Sequence, residues 1–328
     1  MLGHRSQLFA AASGSSSWTV PSGASVLTGV LAEQHGASGA PTAVARSADV
    51  EVEVLSDDVV TLAERLKQNG YRTYAIVANG HMMAGSGFEQ GFDEYICVGF
   101  KRAPRVQLAV ERLSNEIKRR RAPVFVYVHY FDPHDPFRKN APVVYGWQKD
   151  LDTYQEARKA DETLSKVERR PLHNLAMEEL VRRLDLRVGG SGLPHLEALY
   201  DSEIRLVDDH VQLLYGDLGI EDEDVVVVTA DHGEEFRDHG VLGHRLNLHE
   251  ETVRVPLLIS WPAVWSEHVR VHERISQVDL VPTLAELGGV PVPDGDLLAQ
   301  SLVPLLDGNP WEQAYPVTAE LIRTDGVH

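Results

Sequence analysis

The sequence predicts an α/β fold with a mostly parallel central sheet and helices on both faces. Segments with helical spacing alternate with short runs of β-branched residues along most of the chain, and this order is typical of parallel sheets. Residues 225–228 are four consecutive valines. Such a run is expected of a strand that is buried on both of its faces.

The expected elements follow from periodicity and from helix-ending residues. Val59, Leu62 and Leu66 share one face of a helix over residues 59–68, and Gly70 is placed to end it. A helix is also expected over residues 108–121, because its carboxyl end is basic and positive charge is favourable at that end of a helix. The same patterns predict further strands and helices, which are strands at 73–78, 124–129, from 225 and at 256–260, and helices at 204–214 and 281–287.

The chain is expected to form one domain over residues 1–328. Residues 138–195 are charged and irregular, with a helical stretch at 174–186. We therefore predict that 138–195 form an insertion or lid and not a second core. No internal repeat and no low-complexity linker divides the sequence.

Composition narrows the classes of partner. The 328 residues are 43% apolar and carry a formal charge of −18, which disfavours nucleic acid and anionic membranes as partners. No segment approaches the roughly twenty apolar residues needed to span a bilayer, and no signal peptide is visible. A single cysteine, Cys97, cannot form an internal disulfide. The chain as it stands is expected to be cytoplasmic, a location that a leader before Met1 would change.

Titratable residues cluster after the valine strand. Asp231 and His232 follow it directly, Gly233 allows a sharp turn, and His239 and His244 come next. Ligand and metal sites form where the carboxyl ends of strands converge. This segment therefore predicts a functional site.

A second candidate lies near the amino end. Thr19 precedes Pro21 and Ser22 in a turn that leads into a helical stretch. Backbone N–H groups at a helix start stabilise anions, and a hydroxyl placed there is well sited to attack one. A serine- and threonine-rich turn is also an ordinary helix cap, so this pattern alone leaves both interpretations open.

Several motifs occur together in one order. From Thr19 to Gly29 the chain has a nucleophile position, one residue, Pro-Ser, the position of a basic residue, two spacers, two apolar residues and Thr-Gly. Asp231-His232-Gly233 follows far along the chain. In this combination the chain resembles the sulfatase family of the alkaline phosphatase superfamily. The resemblance extends through other segments, which are residues 62–71, 87–93, 129–136, 199–205, 254–259 and 277–283.

The resemblance implies an alkaline-phosphatase-like sandwich and a role for each matching residue. Thr19 would be the nucleophile and a metal ligand, with Asp231 and His232 as the other metal ligands. His134 and His244 would be catalytic residues that contact the substrate anion, although a histidine in a Pro-rich turn is often structural. His239 would bind substrate, support another residue or hold a second metal. Glu234 would be a hydrogen-bonding neighbour.

The sequence departs from the family pattern at three points. Thr19 stands where most sulfatases carry a cysteine that becomes formylglycine, and Gly23 replaces the usual basic residue. The eighteen residues before Thr19 contain no apolar strand that ends in metal-binding acids. By resemblance, we expect a chain shortened at its amino end, and at its carboxyl end if the family's last subdomain is also absent. A threonine hydroxyl favours attack on phosphorus over sulfur.

The expected cofactor is one divalent metal ion. Imidazole at position 232 favours Mn or Zn, with Ca as the other candidate, and the sequence lacks the Asp-x-x-x-His pair of two-metal relatives. The resemblance implies hydrolysis or transfer of a small-molecule, glycan or lipid ester of sulfate or phosphate. The competing interpretation is an inactive relic that binds an anion or a partner. The sequence leaves the oligomeric state open.

Overall fold

The computed structural model describes residues 6–38, 54–119, 121–134, 137, 193–245, 247–292 and 297–321. Its strands and helices alternate along these ranges. In chain order they are β1 (Gln7–Ser13), α1 (Thr19–Thr28), α2 (Ala32–His35), α3 (Leu62–Gln68), β2 (Arg72–Val77), β3 (Glu94–Cys97), α4 (Ala103–Arg119), β4 (Val124–His129), α5 (Leu193–Leu218), β5 (Val226–Thr229), β6 (Glu235–Phe236), β7 (Leu242–Gly243), α6 (Glu250–Val253), β8 (Arg254–Ser260), β9 (Val269–Ser276), α7 (Leu280–Leu287) and α8 (Val303–Leu306).

One sheet is entirely parallel. Its strand order is β3-β2-β4, and both neighbours run parallel to β2. Successive side chains of β2 point to opposite faces: Ala75 and Val77 pack with α1, whereas Tyr74 and Ile76 pack with α4 and α5. Helices therefore cover both faces, which confirms the predicted fold class.

The second sheet is mixed, with the order β5-β8-β1-β9. Strand β1 runs parallel to β9 and antiparallel to β8, which is also antiparallel to β5. The sequence analysis did not predict β1, whose alanines have little strand propensity. It ends at Ala12 and Ser13, so the strand before Thr19 contributes no carboxylate.

Some predicted boundaries were wrong. Helix α3 begins at Leu62 and not at 59, because Thr61 caps it: the Thr61 hydroxyl accepts from the Glu64 N–H, and the Glu64 carboxylate accepts from the Thr61 N–H. Helix α4 begins five residues earlier than predicted. Residues 193–195, expected in the insertion, belong to α5. The rest of that segment, including the helix predicted at 174–186, lies outside the described residues.

Helix α1 is almost entirely buried among other helices. All of its residues but Val26 are buried, and it contacts α2, α3 and α7. Gly29 ends it with φ of 77°, and a side chain there would meet Val281 of α7. The start of α1, where Thr19 lies, is thus fixed against the core. None of the described helices has the length and apolar character needed to cross a membrane.

Candidate functional site

Thr19, Asp231 and His232 meet in space although they lie far apart in the sequence. Oγ1 of Thr19 lies 3.3 Å from Nε2 of His232, and Oδ2 of Asp231 lies 3.6 Å from the same nitrogen. Thr19 is the first residue of α1, and the other two follow β5. The start of a helix and the carboxyl end of a strand therefore meet at one point, which is where sites form in α/β folds.

Close backbone packing positions the turn after β5. A Cβ on Gly233 would lie 2.1 Å from the carbonyl oxygen of Glu251, and a Cβ on Gly14 would lie 2.7 Å from that of Asp231. Only residues without a side chain fit at these two positions. The Gly233 N–H also donates to the Thr252 carbonyl at 2.8 Å. The two glycines let neighbouring backbone segments pack closely, and this packing holds the backbone of Asp231 in place.

A buried polar network ties α1 to the same turn. The Ser22 hydroxyl donates to the Asp231 carbonyl and contacts Oε1 of Gln277 at 3.3 Å. The Gln277 side-chain amide donates to Thr229 Oγ1 at 3.2 Å and to the Ala230 carbonyl. Ser22 and Gln277 are both fully buried. This network fixes α1 relative to β5, and with it the distance between Thr19 and His232.

The hydrogen bonds of His232 define its tautomer. Nδ1 lies 2.8 Å from the Gly233 carbonyl, which can only accept, so Nδ1 carries the proton. In the neutral ring, the lone pair of Nε2 then faces Thr19 and Asp231. A nitrogen held in this way is ready to accept a proton or to bind a metal.

The Asp231 carboxylate is kept ionised. Burial by itself raises its pKa, but His232 and His129, together with hydrogen bonds from the Thr19 hydroxyl and the His232 N–H, hold the pKa below its ordinary value. Oδ2 of Asp231 is buried and has no hydrogen-bond partner among the described residues. An ionised oxygen in that position is suited to a cation.

Three groups at this point could take part in holding a metal ion. A carboxylate, an imidazole lone pair and a hydroxyl converge, and the orphaned Asp231 Oδ2 fits a cation there. Within the described ranges, no group of three or more His, Cys, Asp or Glu residues could hold a metal ion by itself. Thr19 would therefore have to supply the third donor.

His134 and His244 lie beside this group. The ring of His244 lies 4.4 Å from that of His232 and 5.3 Å from that of His134, between centroids. His134 stacks on Phe131 at 4.2 Å. The structure thus places His134, His244 and His232 in a continuous row that ends at Thr19.

Glu234 orients the ring of His244. Its Oε1 lies 3.0 Å from His244 Nδ1, and both side chains are buried, which confirms Glu234 as a hydrogen-bonding neighbour. Burial lowers the pKa of His244, although the Glu234 carboxylate raises it in part. The carboxylate is placed to stabilise an imidazolium whenever His244 takes up a proton.

His239 lies in a different cluster. Its ring stacks on His249 with centroids 3.6 Å apart, and Nδ1 lies 3.4 Å from Glu235 and 3.5 Å from Glu251. The side chain is 42% exposed. Within the described part of the chain its contacts do not include Thr19, His232 or His244. The geometry therefore does not support the substrate-binding role expected for His239.

Three residues near the site were missed by the sequence analysis. His129 ends β4 and is half-buried, and it acts on the pKa of Asp231. His81 follows β2, and burial first, then the charges of Arg245 and His134, lower its pKa to about 4. The two histidines carry the same signal that identified Asp231, a polar residue at the carboxyl end of a predicted strand. Nothing in the sequence pattern marks Arg245.

The fold and the site together define a class, α/β proteins with a hydroxyl, a carboxylate and an imidazole grouped at the carboxyl ends of strands. The chain belongs to the sulfatase family, because the Sulfatase family model matches residues 2–290. The uncharacterized sulfatase YidJ of Escherichia coli (strain K12) is 30% identical over 176 residues, which are 52% of this chain and 33% of YidJ. The matched region thus spans about a third of the length of this relative.

Solved structures show the same fold. Phosphonate monoester hydrolase SpPMH from Silicibacter pomeroyi aligns with a TM-score of 0.66 and 18% identity, over 95% of this chain and 72% of that one. BT4656 in complex with its substrate D-glucosamine-2-N,6-O-disulfate aligns with a TM-score of 0.62 and 17% identity, over 98% and 76% of the two chains. At these identities the likeness establishes the architecture alone.

Proposed function

We propose that this chain hydrolyses, or transfers to an acceptor alcohol, an ester of phosphate or sulfate through a covalent intermediate on Thr19. One observation carries the proposal: Oγ1 of Thr19 lies 3.3 Å from His232 Nε2, beside the ionised carboxylate of Asp231. A hydroxyl becomes a useful nucleophile when it is held next to groups that lower the cost of its deprotonation. Membership of the sulfatase family supports the same reaction class.

Asp231, His232 and Thr19 would hold one divalent metal ion. Mn or Zn suits the imidazole ligand, and Ca suits the oxygen ligands. When bound, such an ion lowers the pKa of a coordinated hydroxyl and neutralises charge that develops on the ester.

The chain's own residues orient the attack. The Asp231 carboxylate would accept the hydrogen bond of the Thr19 hydroxyl and so fix the direction of its oxygen. The rigid start of α1 keeps that oxygen at the end of β5, and the partial positive charge of a helix amino terminus favours an anion there. Attack would form the bond from Oγ1 to phosphorus or sulfur and break the bond to the leaving alcohol, while the proton of the Thr19 hydroxyl passes to the Asp231 carboxylate beside it.

His134 and His244 would contact the ester anion and assist the leaving group. Their rings border His232 in one row, so an ester attacked by Thr19 would lie against them. Protonated at Nε2, His244 would donate to the leaving oxygen while Glu234 stabilises the positive ring at Nδ1. A water molecule would then release the group from Thr19.

Phosphorus is the favoured centre. A threonine cannot be converted to formylglycine, the group through which most sulfatases release sulfate, whereas a threonine alkoxide can attack phosphorus directly. The structural likeness to a phosphonate monoester hydrolase is in keeping with this preference. A sulfate ester is the second candidate, supported by the family match and by BT4656. The substrate would be a small molecule, or such an ester on a glycan or lipid.

A second candidate function is anion or partner binding without catalysis. Two features favour it, the absence of a carboxylate at the end of β1 and the glycine at position 23. Measuring ester turnover together with metal binding distinguishes the catalytic function from binding alone.

Turnover of bis-p-nitrophenyl phosphate, the monoester p-nitrophenyl phenylphosphonate and p-nitrophenyl sulfate would be measured with Mn²⁺, Zn²⁺ and Ca²⁺, and metal binding by calorimetry. T19V keeps the shape of the side chain but removes the hydroxyl, so we expect turnover to fall on the order of 10³-fold or more, with T19S retaining part of it. Intact mass measurement on quenched reactions should find the transferred group on the parent chain and on T19S. Metal binding without turnover in the parent, or equal turnover in T19V, would overturn the catalytic proposal.

A further inference from the structure

Arg245 is held against the segment that leads into the nucleophile. Its guanidinium carbon lies 4.2 Å from the ring centroid of Trp18, the residue directly before Thr19. Its backbone N–H donates to the Ser17 carbonyl at 3.0 Å. The ring of Trp18 is buried, so this cation–π contact holds the arginine in place.

Arg245 is also close to the site histidines along the chain. Burial first, and then the charges of Arg245 and His134, lower the pKa of His81. His244, the residue before Arg245, contacts both His134 and His232. The arginine therefore lies on the same side of the molecule as the row of histidines next to Thr19.

Position 23 on α1 faces an apolar wall. A Cβ built on Gly23 would lie 3.5 Å from Cε1 of Phe88 and 3.6 Å from Cε of Met82. Both of these side chains are buried in the cluster that packs under α1. A charged side chain at position 23 would have to enter this cluster, which would be costly. Helix α1 is therefore a poor source of positive charge for the site.

An anion bound at this site would also meet the negative charge of the protein. The chain has a net charge of −18, and Asp231 and Glu234 add negative charge close to Thr19. A guanidinium is permanently charged and matches two oxygens of a phosphate or sulfate group at once.

We propose that Arg245 binds the non-bridging oxygens of the ester anion, so that the loop after β7 supplies the positive charge that helix α1 lacks. This inference rests on the proposed function, which it deepens by assigning the residue that recognises the anionic group. The guanidinium of Arg245 also packs on the ring of Trp18. This contact would couple anion binding to the segment next to Thr19.

Binding of inorganic phosphate by calorimetry provides a test that does not require turnover. The parent chain, R245A, R245Q and R245K would be compared at equal metal concentration. We expect R245A and R245Q to weaken phosphate binding at least 10-fold and R245K to recover part of it. R205A removes an exposed arginine that pairs with Asp209 on α5, and it should bind phosphate as the parent does. Thermal unfolding checks each variant, and if R245A does not fold, R245Q and R245K decide.

Kinetics add a second measurement, in which R245A should raise KM more than it lowers kcat. The double variant G23R with R245A should not regain phosphate binding, because residue 23 faces Phe88 and Met82. Parent-like phosphate binding by R245A or R245Q, or no phosphate binding by the parent, would overturn the assignment of Arg245. If the parent chain bound phosphate, the Arg245 variants bound it more weakly and no ester were turned over, only the catalytic proposal would be contradicted.

Discussion

Replacing His35 by glutamine should make folding less sensitive to acid. His35 ends α2 and is fully buried. Its Nε2 lies 3.1 Å from the Pro21 carbonyl in the first turn of α1 and 3.1 Å from the Ser25 hydroxyl. Nδ1 accepts from the Ala37 N–H at 3.1 Å. The ring thus braces the helix that carries Thr19, and it does so in its neutral form.

The shift in the pKa of His35 sets the size of the expected change in the free energy of unfolding. Burial lowers it from 6.5 to about 4, against the raising effect of the hydrogen bond to Pro21. The unfolded chain therefore binds a proton at a higher pH than the folded chain does. The stabilising contribution of the neutral His35 ring to the free energy of unfolding is therefore fully present above pH 6.5 and is lost as the pH falls toward 4. At about 1.36 kcal/mol for each pKa unit, the loss is about 3 kcal/mol.

Urea denaturation at several pH values between 7.5 and 4 would measure this effect, with all numbers taken as differences between H35Q and the parent. The free energy of unfolding of H35Q should fall less over this range, by about 3 kcal/mol at the acid end. H272Q, which removes an exposed imidazole from β9, is the matched control. If H35Q and the parent lost stability in parallel, the neutral buried ring would not be the cause of acid sensitivity.

Three further changes test the site and its supports. In E234Q the carboxylate that raises the pKa of His244 is gone, so that pKa should fall and the high-pH limb of kcat/KM should move to lower pH. Q277L leaves buried hydroxyl and carbonyl groups of β5 and α1 without their partner, which should cost about 2–4 kcal/mol in urea denaturation. G233A forces a Cβ to within 2.1 Å of a backbone oxygen of α6. Thermal unfolding should show a loss of about 1–3 kcal/mol, whereas its control G216A, in open space on α5, should gain about 0.5–1 kcal/mol.

Each of these expectations has a clear contrary outcome. An unchanged pH profile in E234Q would mean that the protonation of His244 does not limit turnover. A loss below about 1 kcal/mol in Q277L would mean that water replaces its hydrogen bonds. Equal stabilities of G233A and G216A would mean that the turn after β5 relaxes without moving His232.

Local sequence patterns were enough to predict several strands and two of the site residues. Strand β4 was predicted at 124–129 and occurs there, because alternating valine and aromatic residues favour a strand wherever they are packed. Asp231 and His232 were identified because a valine strand stops directly before them. Strand β1 was missed, since its alanines form a strand only between β8 and β9. The start of α3 was misplaced because Val59 continues the helical spacing although the helix begins after the cap at Thr61, and the start of α4 was placed five residues too late.

By itself the sequence determined the kinds of element, the family to which the chain belongs and the chemical groups at the ends of its strands. Only the tertiary structure decided which groups meet. Thr19 and His232 are 213 residues apart, and His239, although close to His232 in sequence, faces another cluster. The physical reason is that periodicity is set by near neighbours along the chain. The order of strands and the packing of helices, which bring Arg245 to Trp18, depend on burial summed over the whole molecule.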